Sequence, residues 1–186
     1  MALLAEKTVV AKPFLKWAGG KGQLLDEIEK RLPQEMQSGN IDTYVEPFVG
    51  GGAVFFFVAQ KCEFIKNLYL FDINQDLVNC YNTVKDKVEP LIVELKLLEN
   101  QFIRKKESGR RDFYLIVRDK FNKEKTKCFG VETAAKLIFL NKTCFNGLYR
   151  VNRKNEFNVP FGGYENPKIY DEEKLYDLWP YITSVK

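Results

Sequence analysis

The sequence predicts an α/β protein with a Rossmann-like nucleoside-binding unit in its N-terminal half. Three observations predict it. A strand pattern, Thr43 to Phe48, runs into the glycine cluster Gly50-Gly51-Gly52. An apolar run follows, and a second strand pattern, Asn67 to Phe71, ends on Asp72. The glycines carry no Cβ, so backbone there can approach a ligand closely. Asp72 lies 20 residues after Gly52, where an acid can bond ribose hydroxyls. The GxGxxG spacing that suits a pyrophosphate is absent, because Val49, Ala53 and Phe55 stand at the outer glycine positions. A ligand with a ribose but no phosphate fits this set best, and S-adenosylmethionine is such a ligand.

The elements follow in order. Residues 7–16 form a short basic and apolar lead into the turn Ala18-Gly19-Gly20-Lys21-Gly22. Gln23 to Arg31 reads as a helix, with Leu24, Leu25, Ile28 and Leu32 on one face and Pro33 ending it. Residues 34–42 read as polar loop. After the first strand, Gly52 to Lys61 reads as a buried helix, and after the second, Asn74 to Lys87 as a helix with Leu77, Val78, Tyr81 and Val84 inward. Glu89 to Arg104 is another, with Pro90 in its first turn, where a missing N–H does no harm. Residues 105–111 read as a charged loop, Phe113 to Phe121 as a short helix and Val131 to Leu140 as an apolar helix. From Asn141 to Pro167, Gly, Asn, Arg and aromatics dominate, as in a long loop or hairpin; ordered loops of that length are usually functional.

The chain has 186 residues, the size of one ordinary domain, and its 45% hydrophobic and 29% charged content is that of a globular protein. The net charge is +4, but residues 101–130 hold ten Lys or Arg against four acids. Such a run is either a solvated helix face or a surface for a polyanion. There are no histidines, and the four cysteines, 62, 80, 128 and 144, are far apart. No metal site is therefore expected, and Ser-His-Asp and Cys-His catalysis are excluded. Scattered thiols fit a reducing cytoplasm. No apolar run approaches a membrane span, so no membrane partner is expected.

Two further segments can carry chemistry. In Phe14-Leu15-Lys16-Trp17-Ala18-Gly19-Gly20-Lys21, Lys21 can reach a carboxylate and Trp17 offers a flat face for an adenine or a sulfonium; the plain alternative is a strand-turn-helix with Trp17 in the core. In the segment from Asn141 to Tyr164, basic residues interleave with Asn and aromatics. Arg150 can bond guanine edges bidentately, Asn146 or Asn152 can bond adenine or phosphate, and Phe145 can wedge beside a base. The alternative is a structural hairpin with solvated charges.

Taken together, FLKWAGGK, EPFVGGGAVFF, FDIN, FNGLYRVN and EFNVPFG stand in the order found in the Dam-like DNA adenine-N6 methyltransferases. The resemblance runs from about Pro13 to Asp171. It implies a Rossmann-like S-adenosylmethionine-dependent methyltransferase fold, incomplete at its C-terminus, with an inserted helical and hairpin DNA-recognition region. It divides the chain into a cofactor-binding part (1–87), a target-recognition region (88–170) and a return toward the catalytic domain (171–186). It implies that Trp17, Lys21 and Asp72 bind S-adenosylmethionine, with the loop of Phe48, Gly50 and Gly52 under it. It implies double-stranded DNA as the partner, met by Lys16, Phe145, Asn146, Leu148, Arg150, Asn152, Pro160 and Tyr164, with GATC as the site read.

One motif departs from the pattern. The family's catalytic loop, Asp-Pro-Pro-Tyr or a close variant, follows the recognition region. The prolines here, at 13, 33, 47, 90, 160, 167 and 180, are never adjacent. No catalytic residue is assigned, and the 186 residues are expected to be inactive alone. A longer enzyme, a truncated gene and a second polypeptide that completes the site all remain open. The rival readings are an inactive DNA-binding or cofactor-binding remnant of such an enzyme and, less well matched, a nicotinamide-dependent reductase.

Overall fold

Parallel pairing between two short strands sets the frame of this computed structural model, which describes residues 11–186. Residues 7–10 of the expected lead lie outside the described residues. β1 (Thr43–Glu46) and β2 (Asn67–Leu70) run parallel, with Thr43 opposite Asn67 and Glu46 opposite Leu70. Parallel strands need a crossover, and α3 (Ala53–Lys61) supplies it; α1 (Leu25–Glu29) and α2 (Gln34–Ser38) precede β1. α3 buries Phe55, Phe56 and Val58. The lead is tied to α3 by Gln60, whose amide accepts from Ala11 N (2.8 Å) and donates to Ala11 O (3.1 Å).

α4 (Gln75–Asp86) starts on an N-cap: the Asn74 side chain accepts a bond from Leu77 N at 3.1 Å. α5 (Val88–Ile103), α6 (Glu107–Glu124) and α7 (Val131–Thr143) then build the larger layer. α7 is its centre, packed on α4, α5 and α6 with Ala134, Leu137, Phe139 and Leu140 buried. One continuous core runs across the expected boundary at residue 87, joining Leu77 and Val84 of α4 to Leu91, Phe102, Phe121 and Phe139. α8 (Glu172–Thr183) returns over α4 and α5. Val185 then bridges Leu68 in parallel, and Lys186 N donates to Leu68 O at 2.8 Å. Chain is thereby added to the edge of β2 away from β1. Among the described residues no strand pairs with the other edge of β1.

Four elements differ from the sequence expectation. The expected loop at 105–111 is mostly the first turn of α6, which starts at Glu107. Arg110 stabilises that turn by donating to the carbonyls of Ile103 (3.2 Å), an orphan at the end of α5, and of Lys105 (3.0 Å) in the connection. The polar stretch 34–42 contains α2, which buries Met36 and ends on left-handed Gly39. The first expected helix is a 3-10 turn, Lys21–Leu24, followed by the five residues of α1. α8 was not expected, although Leu175, Leu178 and Ile182 share its buried face; Pro180 disguised it.

Candidate functional site

The glycine loop is shaped by backbone bonds that its sequence makes possible. Val49 N donates to Phe71 O (3.0 Å) and Gly52 N to Val49 O (2.8 Å), so the chain turns sharply out of β1. Gly50 and Gly52 have φ of +50° and +80°, where a Cβ is strained. A Cβ on Gly50 would stand 3.0 Å from the Trp17 ring, and one on Gly52 2.4 Å from the Tyr81 hydroxyl. Gly50 therefore lets Trp17 close on the loop, whereas Gly52 admits Tyr81, whose hydroxyl donates to Gly50 O at 3.1 Å.

These pieces surround an open groove of about 180 Å³. Trp17, Lys21, Phe48, Gly50 and Asp72 all line it, together with Glu46. Gly52 does not; it stands behind the wall as the N-cap of α3. Asp72 accepts Gly50 N on one oxygen (3.0 Å) and Asn74 N on the other (2.9 Å). A carboxylate has about four lone-pair sites, so acceptor capacity remains on Asp72 for hydroxyl donors. Phe48, at the groove, is 72% exposed, and Ile73, next to Asp72 in sequence, is 94% exposed. A second cavity, of about 620 Å³, begins at Ile73 and is lined by Asn74, Asp76, Lys125, Phe129 and Tyr149.

Glu46 was missed by sequence reasoning. It is the last residue of β1 and is buried at the groove, with Tyr44 donating to it at 3.0 Å. Burial pushes its carboxyl pKa up, opposed by that hydrogen bond and by the charge of Lys21. An acid closing the strand before a glycine loop was the available signal.

The recognition segment is assembled by side-chain amides. Asn141, buried at the end of α7, accepts Lys16 N (2.8 Å) and donates to Lys16 O (2.8 Å) and Gly147 O (2.9 Å). Lys16, beside the groove, is thus fixed to the start of the segment. Gly147 sits against the Lys16 stem, where a Cβ would have no room. The Lys16 ammonium lies 5.2 Å from the Tyr164 ring centroid, and Asn146 N donates to the Tyr164 hydroxyl at 3.1 Å. Lys16, Asn146 and Tyr164 therefore meet, with exposed Phe145 beside them; its N–H donates to Pro160 O at 2.9 Å.

Arg150 and Asn152 lie on the hairpin closed by the Val151–Phe157 bridge. Asn158 holds the Arg150 guanidinium through its side chain (2.8 Å) and carbonyl (3.1 Å), leaving the remaining donors outward. Asn152 is committed to the turn: its oxygen accepts Lys154 N (2.9 Å) and Glu156 N (3.0 Å), and its amide donates to Glu156 (2.7 Å). Leu148 is half-buried and packs on the core, and Pro160 is exposed. Within the basic run at 101–130, Lys125 is buried on Asp76 and Arg110 folds over carbonyls, so part of that charge is structural. Among the described residues no cluster of three or more metal-ligating acids, cysteines or histidines occurs, and no helix is long and apolar enough to cross a membrane.

Residues 17–186 match the D12 class N6 adenine-specific DNA methyltransferase family. The chain belongs to that family. It is 55% identical over 175 residues to the Type II methyltransferase M.MjaIII of Methanocaldococcus jannaschii, a match covering 94% of this chain and 60% of the relative. It is 38% identical over 185 residues to the Type II methyltransferase M1.LlaDCHI of Lactococcus lactis subsp. cremoris, covering 99% and 59%. It is 38% identical over 165 residues to the DNA adenine methylase of Escherichia coli (strain K12), covering 89% and 52%. This D12 class chain thus spans between half and three-fifths of the length of these relatives.

Proposed function

We propose that the whole protein transfers a methyl group from S-adenosylmethionine to adenine N6 in double-stranded DNA, at GATC, on a Rossmann-like fold. The observation that carries the reading is a juxtaposition. Trp17, Lys21, Phe48, Gly50 and Asp72 ring one groove. Asn141 binds the adjoining Lys16 to the recognition segment. Residues 1–87 would supply the cofactor half-site, 88–170 the DNA reader and 171–186 the return into the catalytic part.

The residues present suit this cofactor. The free acceptor sites of Asp72 suit ribose hydroxyls, and Lys21 suits a carboxylate. Trp17 and exposed Phe48 offer flat faces for the adenine or the sulfonium. The loop lacks the outer glycines of a pyrophosphate cradle, which suits a ligand without a pyrophosphate. S-adenosylmethionine supplies an electrophilic methyl carbon. Adenine N6 is a poor nucleophile, because its lone pair is delocalised into the ring. The base is therefore extruded from the stack, and acceptors take up the amino hydrogens to localise that pair. Phe145 would fill the gap in the duplex, Arg150 would read a guanine, and Lys16, Asn146, Leu148, Asn152, Pro160 and Tyr164 would shape the remaining contact. The acceptors belong to the Asp-Pro-Pro-Tyr loop that no residue here supplies, so the 186 residues alone are proposed not to turn over. Two of the relatives are Type II methyltransferases, which favours a place beside a restriction enzyme over a housekeeping one.

A methylation assay on GATC duplex and on a scrambled duplex tests this. The 186-residue chain should bind the GATC duplex and give no turnover, and a chain extended through an Asp-Pro-Pro-Tyr loop should methylate GATC only. Robust turnover by the short chain refutes the dependence on that loop. DNA binding without methylation by the extended chain favours the inactive remnant.

A further inference from the structure

Tyr149 lies in the recognition segment between Leu148 and Arg150, yet its side chain points away from that surface. Its ring stacks on Trp17, with centroids 5.3 Å apart and planes inclined by 26°. Its hydroxyl donates to Asp76 Oδ2 at 2.6 Å. The same oxygen accepts the Lys125 ammonium at 2.6 Å, in a pair whose side chains are 9% and 2% exposed. Asp76 stands in the first turn of α4, four residues after Asp72, and Lys125 caps the end of α6. One carboxylate oxygen thus fixes three elements and holds the Tyr149 ring in place. Burial and then the bond to Asp76 push the Tyr149 phenol pKa up, so the phenol stays a donor. Phe157, across the hairpin, meets the ring edge-on at 5.8 Å.

The other face of this contact is the cofactor groove. Trp17 lines it and abuts the Gly50 backbone, and Gly50 N is bonded to Asp72. Displacement of the hairpin therefore moves Tyr149, and Tyr149 cannot move without shifting Trp17 or leaving the stack.

We propose that Tyr149 is a positioning residue that couples DNA reading to cofactor binding through its stack on Trp17, with Asp76 and Lys125 as the anchor. The proposal rests on the function proposed above. Coupling of this kind is reciprocal: each ligand raises the affinity for the other by the same factor, commonly between about 5 and 150. A residue that merely supports the fold would change both affinities without changing their mutual dependence.

The test is calorimetric titration of the 186-residue chain with S-adenosylhomocysteine, with and without saturating GATC duplex. In the unmodified chain the duplex should tighten S-adenosylhomocysteine by roughly tenfold. Tyr149→Leu should bring that factor to about one, and Tyr149→Phe, which keeps the ring and loses the anchor, should retain a factor above about three. If the unmodified chain binds neither ligand, the proposed function and this inference both fall. If it binds both independently, or if Tyr149→Leu keeps the factor, the coupling alone falls. Equal loss in Tyr149→Leu and Tyr149→Phe overturns the stack as the link.

Discussion

The groove at the glycine loop and the 141–164 segment are built by opposite strategies. The groove is made largely of backbone: positive-φ glycines, two N–H groups on Asp72 and an apolar face left bare at Phe48. The recognition segment is made of side chains that are already bonded to one another, as in the grips of Asn141 on Lys16 and of Asn158 on Arg150. The groove rests on a two-stranded sheet with one edge of β1 unpaired among the described residues, whereas the segment rests on the core of α5, α6 and α7. The difference teaches that the 141–164 segment is held by its own side-chain bonds, while the groove leaves acceptor sites and apolar faces free. Preorganised contacts lose less entropy on binding, so the segment should work in isolation better than the groove does.

The largest expected effect lies where the two regions are bolted together. Lys125→Met removes one partner of the buried Asp76 pair and leaves the carboxylate with the Tyr149 hydroxyl as its bonded side-chain partner among the described residues. Breaking such a pair costs about 3–5 kcal/mol, because an uncompensated charge stays buried. Denaturant unfolding should show that loss. A change below about 1 kcal/mol would mean that water reaches Asp76, and that the bolt is weaker than its geometry.

A crossed pair of substitutions separates the regions functionally. With each ligand measured alone, Asp72→Asn should weaken S-adenosylhomocysteine binding by roughly 1.5–3 kcal/mol, the worth of bonds to a charged acceptor, and should leave GATC duplex binding unchanged. Arg150→Ala should cost about 1–3 kcal/mol of discrimination against a duplex with an altered guanine, and should leave S-adenosylhomocysteine binding unchanged. Should either substitution act on both ligands equally when each is alone, the two regions are one site and the contrast between them fails.

The parts of this contrast that were legible in the sequence are the local ones. The strand, glycine, helix, strand order showed in residues 43–72 because glycine clusters and apolar periodicity are local signals. The change of texture at Asn141 was equally plain. What escaped depends on distant partners. The first turn of α6 is highly charged, and it is held by Arg110, which covers the carbonyls of Ile103 and Lys105. α8 was hidden by Pro180. The stack of Tyr149 on Trp17 is a tertiary fact with no spacing to announce it. Asn152, expected at the DNA surface, has its side chain committed to the hairpin turn, a local Asx pattern that the sequence did contain.

The smallest effect sharpens the contrast from beneath the recognition segment. Lys142, in the last turn of α7, is half-buried; that burial, with Lys174 and Lys16 nearby, pushes its pKa down to about 8, and Asp171 offsets this only in part. Lys142 and Lys168 line one small cavity between α7 and the start of α8, but Lys168 is paired with Asp171 at 2.6 Å. The unfolded chain holds the Lys142 proton up to its ordinary value of 10.5, whereas the folded chain releases it from about 8. The unfolded state therefore binds more protons in this window, and Lys142 favours folding increasingly as pH rises. Buried thiols work in the opposite sense, since Cys144 is pushed up to about 11. The readable quantity is thus the difference between the unmodified chain and Lys142→Met, for which Cys144 is common to both. Between pH 8 and 9 the unmodified chain should gain about 1 kcal/mol on the variant. A flat difference across that interval would mean that the Lys142 ammonium is solvated in the folded chain, and that the start of the 141–164 segment is less closed than its bonds to Lys16 imply.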